Sequence, residues 1–318
     1  MINEAETVET APQAQRLEMP AGEVNHNHRD WRAVRVIASV ILVLAVLVFG
    51  FALGRMLGQL FWSHDAAGAR GSGYATEAET ELSEAKKPVD IIAVAKKAST
   101  KAKELKAQME QAIIDQNRGK KLIALTFDDG PSRATTPRLL QILREKQVKA
   151  TFFVVGSMLR GAPELVRQEL AEGHEVGSHT IGHANLSTMD GATIRAEMSQ
   201  MNQTFTELTG EKLTILRPPY GAISKAVREN TGMPLVIWSV DTLDWKYRNA
   251  ATVRQSAVSA SFDGAVILMH DIHATTIDAV AGIIDDLRAQ GYEFMTVSEL
   301  AAARGVQMQA GTTYGSFR

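Results

Sequence analysis

Between Lys121 and Ala303 the sequence alternates between apolar runs of strand length and amphipathic helical patterns. The runs are LIALTF, ATFFVV, HEVGSH, LTILRP, LVIWSV, AVILMH and YEFMTV, and patterns such as PELVRQELAEG and TIDAVAGIIDDLRAQ separate most of them. Such alternation is typical of a parallel sheet covered by helices. Because seven candidate strands are too few for a complete eightfold barrel, we predict an α/β fold, namely a distorted (β/α) barrel with about seven strands. An open doubly wound sheet is the alternative architecture.

Polar residues of the kind used in active sites follow the carboxyl ends of five of these runs. In chain order they are Asp128, Asp129, His179, His183, Arg217, Asp241, Asp244 and His270. The carboxyl edge of a parallel sheet is where α/β proteins assemble their sites. The convergence of five strand ends on one rim therefore indicates a functional site, although the stretch FDDGP taken alone is also ordinary turn chemistry.

The pair His179 and His183 indicates a metal site within that rim. Residues four apart on a helical turn share one face, so both imidazoles can reach one cation. Thr180 stands where the metalloprotease helix motif carries its glutamate, so a carboxylate ligand and a general base must come from elsewhere. The two aspartates of FDDG can supply both. Two nitrogens and one oxygen suit zinc, and manganese, cobalt and iron stay open.

Composition excludes several classes of function. The chain has no cysteine, which rules out disulfides, thiol catalysis and cysteine-ligated zinc. A net charge of −2 and a pI near 6.5 give no electrostatic case for a nucleic-acid partner. No GxxxxGK loop supports a phosphoryl-transfer enzyme. A glycoside hydrolase is disfavoured because its two carboxyl groups lie roughly 5–9.5 Å apart across a sugar, which neighbouring residues rarely do.

The N-terminal part of the chain contains a candidate membrane anchor. Residues 36–54 carry no charge, and a helix of this length would span about 28 Å, close to the thickness of a bilayer core. The 35 residues before it are too many for a cleaved signal peptide. Arg29, Arg32 and Arg35 crowd its N-terminal flank. By the positive-inside rule we predict a single-pass protein of the cell membrane, with a cytoplasmic tail (1–32), a transmembrane anchor (33–55) and everything after it outside the cell.

Residues 56–118 are predicted to form an extracellular linker followed by a helical stalk. After Pro88, apolar residues recur at spacings of four and three, as in a helix: Ile91, Ala95, Ala98, Ala102, Leu105, Met109 and Ala112. Alanine dominates this stripe, which disfavours a strong coiled coil and favours a solvated stalk or a helix that leans on the next domain. The remaining boundaries are a globular domain over residues 119–305 and a C-terminal tail over residues 306–318.

Five motifs in this domain, TFDDG, HTIGH, RPPYG, DTLDW and LMH, occur in the order and spacing of a known family. The chain resembles the NodB-homology polysaccharide deacetylases, carbohydrate esterase family four, over about residues 120–305. Its overall plan is similar to that of membrane-anchored peptidoglycan N-acetylglucosamine deacetylases. The resemblance implies metal-dependent hydrolysis of N-acetyl groups from the N-acetylglucosamine residues of peptidoglycan, with release of acetate. Chitin oligomers, poly-N-acetylglucosamine and acetylated xylan are the alternative substrates within the family.

The same resemblance assigns roles to individual residues. It implies that Asp129, His179 and His183 hold one divalent metal ion. Asp128 would be the general base, and Arg217 would orient it. His270 would be the general acid, kept charged and aligned by Asp244.

Three further residues would contact the substrate. The backbone N–H of Tyr220 would stabilise the oxyanion, while Trp245 and Leu268 would wall a small pocket for the acetyl methyl group. Asp241 and His273 stand beside motif residues and are supporting neighbours only, and His174 is expected to pack.

A rival interpretation from another class is a catalytically inactive, anchored carbohydrate-binding protein. It is disfavoured because binding alone needs none of the proton-transfer residues, which are Asp128, Arg217, Asp244 and His270. We expect a polysaccharide partner and a lipid bilayer contacted by residues 36–54, and no protein or nucleic-acid partner.

Overall fold

The structure is a computed structural model that describes residues 91–318. It begins with helix α1 (Ile91–Gln116), which follows the predicted apolar stripe. Most of α1 is exposed, but Ile113 packs on the following domain and Glu110 accepts a hydrogen bond from Gln307. Over residues 96–116, whose side chains the structure describes, the last turns of the helix therefore lean on the domain.

The domain is built around strand β1 (Lys121–Asp128), whose last seven residues are all buried. Its sheet also contains β2 (Thr151–Val154), β3 (Glu175–Ser178), β5 (Val240–Asp241) and β6 (Ala265–His270), in the order β3-β2-β1-β6-β5. Strand β7 (Tyr292–Phe294) pairs with the first half of β1, and β4 (Leu235–Val236) pairs with β8 (Thr313–Tyr314). Every strand pair is parallel. The predicted α/β class with a parallel sheet is confirmed.

Helices connect the strands. They are α2 (Thr136–Glu145), α3 (Gly156–Gly161), α4 (Pro163–Ala171), α5 (Gly191–Thr209), α6 (Lys225–Asn230), α7 (Asp244–Tyr247), α8 (Ala250–Ser259), α9 (Ala274–Ala289) and α10 (Val297–Ala303). Short 3₁₀ turns occur at Leu186–Thr188 and Pro219–Gly221.

Two of the predicted strands differ from the structure. The run LTILRP forms no strand of its own and makes only single bridges, from Leu216 to Ser178 and to Leu235. The run LVIWSV is divided into β4 and β5 because the chain changes its pairing partner between them. The N–H of Ile237 donates to Tyr314 in β8, whereas the N–H of Ser239 donates to Val266 in β6.

The last residues of the chain are part of the folded domain. Strand β8 lies within the segment 306–318 that the sequence sets apart as a tail, and Phe317 is buried in the core below the sheet. Gly264 is needed there, because a Cβ on it would lie 1.8 Å from the carbonyl oxygen of Phe317. The C-terminal segment therefore closes one end of the domain.

One face of strand β1 is apolar at one end of the strand and polar at the other end. Side chains of a strand point to opposite faces in turn. On one face, Leu122 and Ala124 join the core cluster that contains Phe317, and the next two positions are Thr126 and Asp128. This face is apolar at the amino end of the strand and polar at its carboxyl end, where the predicted site residues lie.

Among residues 91–318, no helix combines the length and apolar character that a bilayer crossing requires. The predicted anchor at residues 33–55 lies outside the described residues, as do the tail before it and the first part of the linker.

Candidate active site

The site is built on turns that hold side chains in strained backbone conformations. Among the described residues, seven non-glycine residues have positive φ, and five of these seven follow the carboxyl ends of strands or strand-like runs at the site: Asp129, Thr180, His183, Tyr220 and Leu243. Each such conformation costs on the order of 1–3 kcal/mol and persists only where surrounding contacts enforce it. The concentration of strain here marks the carboxyl edge of the sheet as functional.

The three predicted metal ligands come together at this edge. One donor atom each from Asp129, His179 and His183 lies within 4.8 Å of the other two. Oδ1 of Asp129 is 3.5 Å from Nε2 of His179 and 3.3 Å from Nε2 of His183. Tetrahedral ligands at zinc distances of about 2.0–2.1 Å are separated by about 3.3–3.4 Å. The aspartate-to-histidine distances therefore match those of ligands around one ion.

The hydrogen bonding of these residues also fits a cation. Nδ1 of His179 lies 2.7 Å from the carbonyl oxygen of Arg217, which fixes the ring and leaves Nε2 to face the aspartates. Burial lowers the pKa of His179, although Asp128 and Asp129 oppose this, so the ring favours its neutral, ligating form. Oδ1 of Asp129 is buried and makes no hydrogen bond within the described residues. An orphaned carboxylate oxygen facing two imidazoles is well suited to a divalent ion.

Asp128 is held differently from its neighbour. Its Oδ1 accepts a hydrogen bond of 2.7 Å from the guanidinium of Arg217, and its Oδ2 is 3.8 Å from Nε2 of His179. Arg217 is fully buried and also donates to Thr126 and to the backbone carbonyls of Val236 and Ile237. The Asp128 carboxylate therefore has one oxygen fixed by a cation and one oxygen directed toward the metal ligands.

His270 and Asp244 form a second charged pair at the end of β6. Oδ1 of Asp244 is 2.8 Å from Nδ1 of His270, and Oδ2 accepts hydrogen bonds from the backbone N–H of His270 and from the hydroxyl of Thr276. Asp244 is completely buried, and all of these groups converge on its carboxylate. The imidazole is thereby fixed through Nδ1, and Nε2 makes no hydrogen bond within residues 91–318.

The electrostatics of this pair favour a charged imidazole. Burial lowers the pKa of His270, but the hydrogen bond and charge of Asp244, with help from Asp128 and Asp129, outweigh burial and raise the pKa to about 9. For Asp244, burial raises the pKa, but the hydrogen bonds from His270 and Thr276 reverse this and lower it. At neutral pH the pair is therefore an imidazolium and a carboxylate, so Nε2 of His270 can donate a proton.

The three predicted substrate-contacting residues lie at different depths. Tyr220 is 68% exposed, and its hydroxyl is 3.2 Å from Nδ1 of His183. Trp245 is half-exposed, whereas Leu268 is buried on β6, two residues before His270. The pocket that Trp245 and Leu268 were expected to wall stays a prediction.

Two hydroxyl groups at the site were missed in the sequence. Thr126 donates to the carbonyl oxygen of Ile267 and accepts from Arg217, and Thr276 donates to Asp244. Thr126 could have been found from the sequence, because it lies two residues before Asp128 and therefore on the same face of β1. No sequence pattern points to Thr276, since it lies on α9, far from Asp244 in the sequence, and the two meet only in the folded domain. Asp241 accepts from the N–H of Leu243 and supports the turn before Asp244.

The domain is thus an α/β protein with a candidate hydrolytic metal site at the carboxyl edge of its sheet. The family model described as "Polysaccharide deacetylase" matches residues 115–233. A peptidoglycan-N-acetylglucosamine deacetylase of Bacillus cereus is 37% identical over 188 residues, which cover 57% of this chain and 88% of that protein. The chain belongs to the polysaccharide deacetylase family.

Two further relatives show the range of the family. Peptidoglycan-N-acetylglucosamine deacetylase PgdA of Listeria monocytogenes is 46% identical over 194 residues, 61% of this chain. The match spans only 41% of the length of that relative. The structure of a family 4 acetyl xylan esterase from Clostridium thermocellum, in complex with a cobalt ion, is 32% identical with a TM-score of 0.59. That comparison covers 62% of this chain and 98% of the esterase.

The charge pairing at His270 yields a measurable prediction. In Asp244→Asn the hydrogen-bonded anion is lost while burial remains, so the pKa of His270 should fall by roughly one to three pH units from its value of about 9. A larger share of the imidazole would then be neutral at physiological pH than in the wild type. Titration of the metal-free protein followed by imidazole ¹⁵N chemical shifts measures this directly.

The control is Asp241→Asn, which removes a nearby carboxylate that makes no contact with His270 among the described residues. It should leave the titration of His270 within a few tenths of a pH unit. Equal shifts in both variants would contradict the assignment of the raised pKa to Asp244.

Proposed function

We propose that this protein is a metal-dependent N-deacetylase of peptidoglycan that hydrolyses the acetamide of N-acetylglucosamine residues. The observation that carries the proposal is the pairing of the candidate metal cluster with two differently held proton-transfer groups, Asp128 and His270. Family membership supports it, and so do the names of the Listeria and B. cereus relatives. The match covers less than half of the Listeria relative, so the assignment depends on the site in this domain.

Asp129, His179 and His183 would hold the metal ion. A divalent ion at such a site, when bound, polarises the acetyl carbonyl and lowers the pKa of water. Zinc is our first choice because two imidazoles and one carboxylate suit it, and cobalt, manganese and iron are the alternatives. The structure of the Clostridium esterase, solved with a cobalt ion, supports a divalent ion in this family.

Asp128 would take the proton from the attacking water. Its Oδ1 is engaged by Arg217, and Oδ2 is the oxygen nearer His179, so Oδ2 is the proton acceptor. Arg217 forms hydrogen bonds with Asp128 on one side and with backbone carbonyls on the other. Because Arg217 is fixed in this way, the base keeps its orientation. The backbone N–H of Tyr220 would stabilise the developing oxyanion.

His270 would give its proton to the departing amine. As the bond from carbon to the water oxygen forms and the C–N bond breaks, the nitrogen must be protonated to leave as a neutral amine. The raised pKa of about 9 keeps His270 protonated at neutral pH. The products are acetic acid and a glucosamine residue; one proton of the attacking water is on Asp128, and the acid loses its remaining proton to solvent to become acetate.

The base assignment is tested by Asp128→Asn. This variant keeps the side-chain volume and the three metal ligands but cannot accept the proton, so kcat should fall by about 10²–10⁴-fold. Its affinity for zinc should stay within a few-fold of the wild-type value. Acetate release measures the first quantity, and competition with a chromophoric chelator measures the second.

His183→Ala is the companion variant, since it removes a metal ligand and should lose both affinity and activity. In the wild type, excess chelator should abolish acetate release and added Zn²⁺ should restore it. A nearly fully active Asp128→Asn protein would refute the role of the base, and activity that survives excess chelator would refute the metal mechanism.

Peptidoglycan is our preferred substrate because of the relatives and the proposed location outside the cell. The alternatives are chitin oligomers, poly-N-acetylglucosamine and acetylated xylan, because the catalytic groups act on the acetyl group that all of these carry. The half-exposed Trp245 and the exposed Tyr220 stand at the rim where a sugar ring would lie.

Acetate release from purified peptidoglycan should exceed that from chitin oligomers of matched N-acetylglucosamine content by at least about tenfold in kcat/KM, which is a difference of about 1.4 kcal/mol in transition-state binding. Mass spectrometry of the digested product should place the loss of acetyl groups on N-acetylglucosamine. Faster hydrolysis of chitin oligomers or acetylxylan would replace peptidoglycan as the substrate while preserving the deacetylase mechanism.

We also propose that the bridges at Leu216 represent closure of a distorted barrel.

We further propose that residues 33–55 anchor the protein in the cell membrane with the domain outside. Support for the anchor comes from the uncharged run at residues 36–54 and its basic N-terminal flank. Protease added to intact cells should digest the domain after residue 55 and spare an N-terminal fragment. Protection of the domain until the cells are lysed would reverse the topology.

A further inference from the structure

The loop that carries Asp129 is joined to the end of β6, the strand that carries His270, through a buried side-chain contact. The proposed chemistry does not use this contact. The contact joins Thr136, the first residue of α2, to Asp271, which directly follows His270. Both residues are fully buried. They lie beyond the motif residues with predicted roles.

Thr136 links the two segments through both functions of its hydroxyl. The hydroxyl donates to Oδ2 of Asp271 and accepts a hydrogen bond of 2.8 Å from the backbone N–H of Ser132. Ser132 is three residues from Asp129 and belongs to the same turn. A chain of two hydrogen bonds therefore runs from the metal loop to the residue after the proposed acid.

Asp271 contacts the same loop at two other points. Its backbone N–H donates to the carbonyl oxygen of Asp128 at 3.3 Å. Its carboxyl group lies directly against Gly130, where a Cβ would come within 2.2 Å of Oδ2 and 2.3 Å of Oδ1. Gly130 is thus a position where a side chain would displace the Asp271 carboxyl. The backbone on both sides of Asp129 is thus in contact with Asp271, the residue that directly follows β6.

This arrangement matters for Asp129 because its backbone is strained. A φ of 75° is unfavourable for an aspartate unless the surrounding contacts enforce it. Oδ1 of Asp129 has no hydrogen bond of its own in the described part of the chain, so its position depends on the backbone that carries it. The contacts that fix this backbone therefore determine the distance from Oδ1 to the two histidines.

We propose that Thr136 and Asp271 are positioning residues that hold the Asp129 loop in the geometry required for metal binding. The inference rests on the proposed metal-dependent function, since it assigns these residues to the same site. Groups that orient a metal ligand typically contribute 10–100-fold to metal affinity. A purely structural role would change stability without changing the coordination of the ion.

The test compares Thr136→Val, which is isosteric but lacks the hydroxyl, with Thr136→Ser, which retains it. In the full chain, the Kd for Zn²⁺ should rise about 10–100-fold in Thr136→Val and stay within about threefold in Thr136→Ser. The visible absorption spectrum of the Co²⁺-loaded protein should change in the valine variant alone, because the ligand geometry has changed.

Thr242→Val is the matched control. Thr242 is also fully buried, and its hydroxyl donates to the carbonyl oxygen of Leu268, away from the Asp129 loop. It should lower the Tm to a similar extent as Thr136→Val without changing the Kd for Zn²⁺ or the Co²⁺ spectrum. An equal change in metal affinity in both valine variants would overturn the inference.

If Thr136→Val does not fold, Asp271→Ala takes its place, because it removes the acceptor of the Thr136 hydroxyl and should raise the Kd for Zn²⁺ about 10–100-fold, with Asp271→Asn as its control. Asparagine retains an oxygen that accepts from Thr136, so the Kd for Zn²⁺ should stay within about threefold, and a tenfold change would show that charge rather than position is what matters. The wild type separates the two proposals. If it binds no divalent ion, the proposed function fails; if it binds one and Thr136→Val binds equally tightly, only this inference fails.

Discussion

A fully buried guanidinium connects the fold of this protein to its active site. Arg217 has its charge balanced by Asp128, and three further hydrogen bonds go to Thr126 and two backbone carbonyls. Its guanidinium carbon lies 4.1 Å from the centre of the Phe153 ring. A buried charge without partners is strongly unfavourable, and breaking such a pair by removing one partner typically costs about 3–5 kcal/mol. The conformation of the proposed general base, Asp128, and the packing of the domain interior therefore depend on the same side chain.

The same guanidinium contacts an irregular part of the sheet. The carbonyls of Val236 and Ile237, at the end of β4, accept hydrogen bonds from Arg217 instead of completing a regular ladder. The chain then changes partner and continues as β5 beside β6. The break between β4 and β5 thus coincides with the carbonyls that pair with the buried cation.

The sequence predicted the features that follow from local periodicity. Buried parallel strands are recognisable as apolar runs, and the carboxyl ends of such strands meet at one edge, which is why Asp129, His179 and His183 could be placed together. The division of labour between Asp128 and Asp129 required resemblance to a family, because two adjacent carboxylates are equivalent in sequence. In the structure they differ: Asp128 extends the regular strand, whereas Asp129 has a φ of 75°.

Features that depend on contacts between distant segments were not predictable. The strand β8 is two residues long and exists only because β4 offers it an edge. The contact between Thr136 and Asp271 joins residues 135 positions apart, and neither belongs to a recognisable pattern. Buried polar pairs of this kind are selected by the assembled fold, whereas strands and helices are encoded by short-range alternation of polar and apolar residues.

The pairing of β1 with β6 creates a problem that the site must solve. Asp128 and His270 are direct register partners in these parallel strands, so their backbones are separated by only about 4.8 Å. A carboxylate and an imidazolium at directly paired positions of adjacent strands could form an ion pair with each other and lose their separate functions. Each is instead committed to a different buried partner, Asp128 to Arg217 and His270 to Asp244. Two separate ion pairs thus keep the proposed proton acceptor and the proposed proton donor side by side in opposite charge states, as hydrolysis of an amide requires.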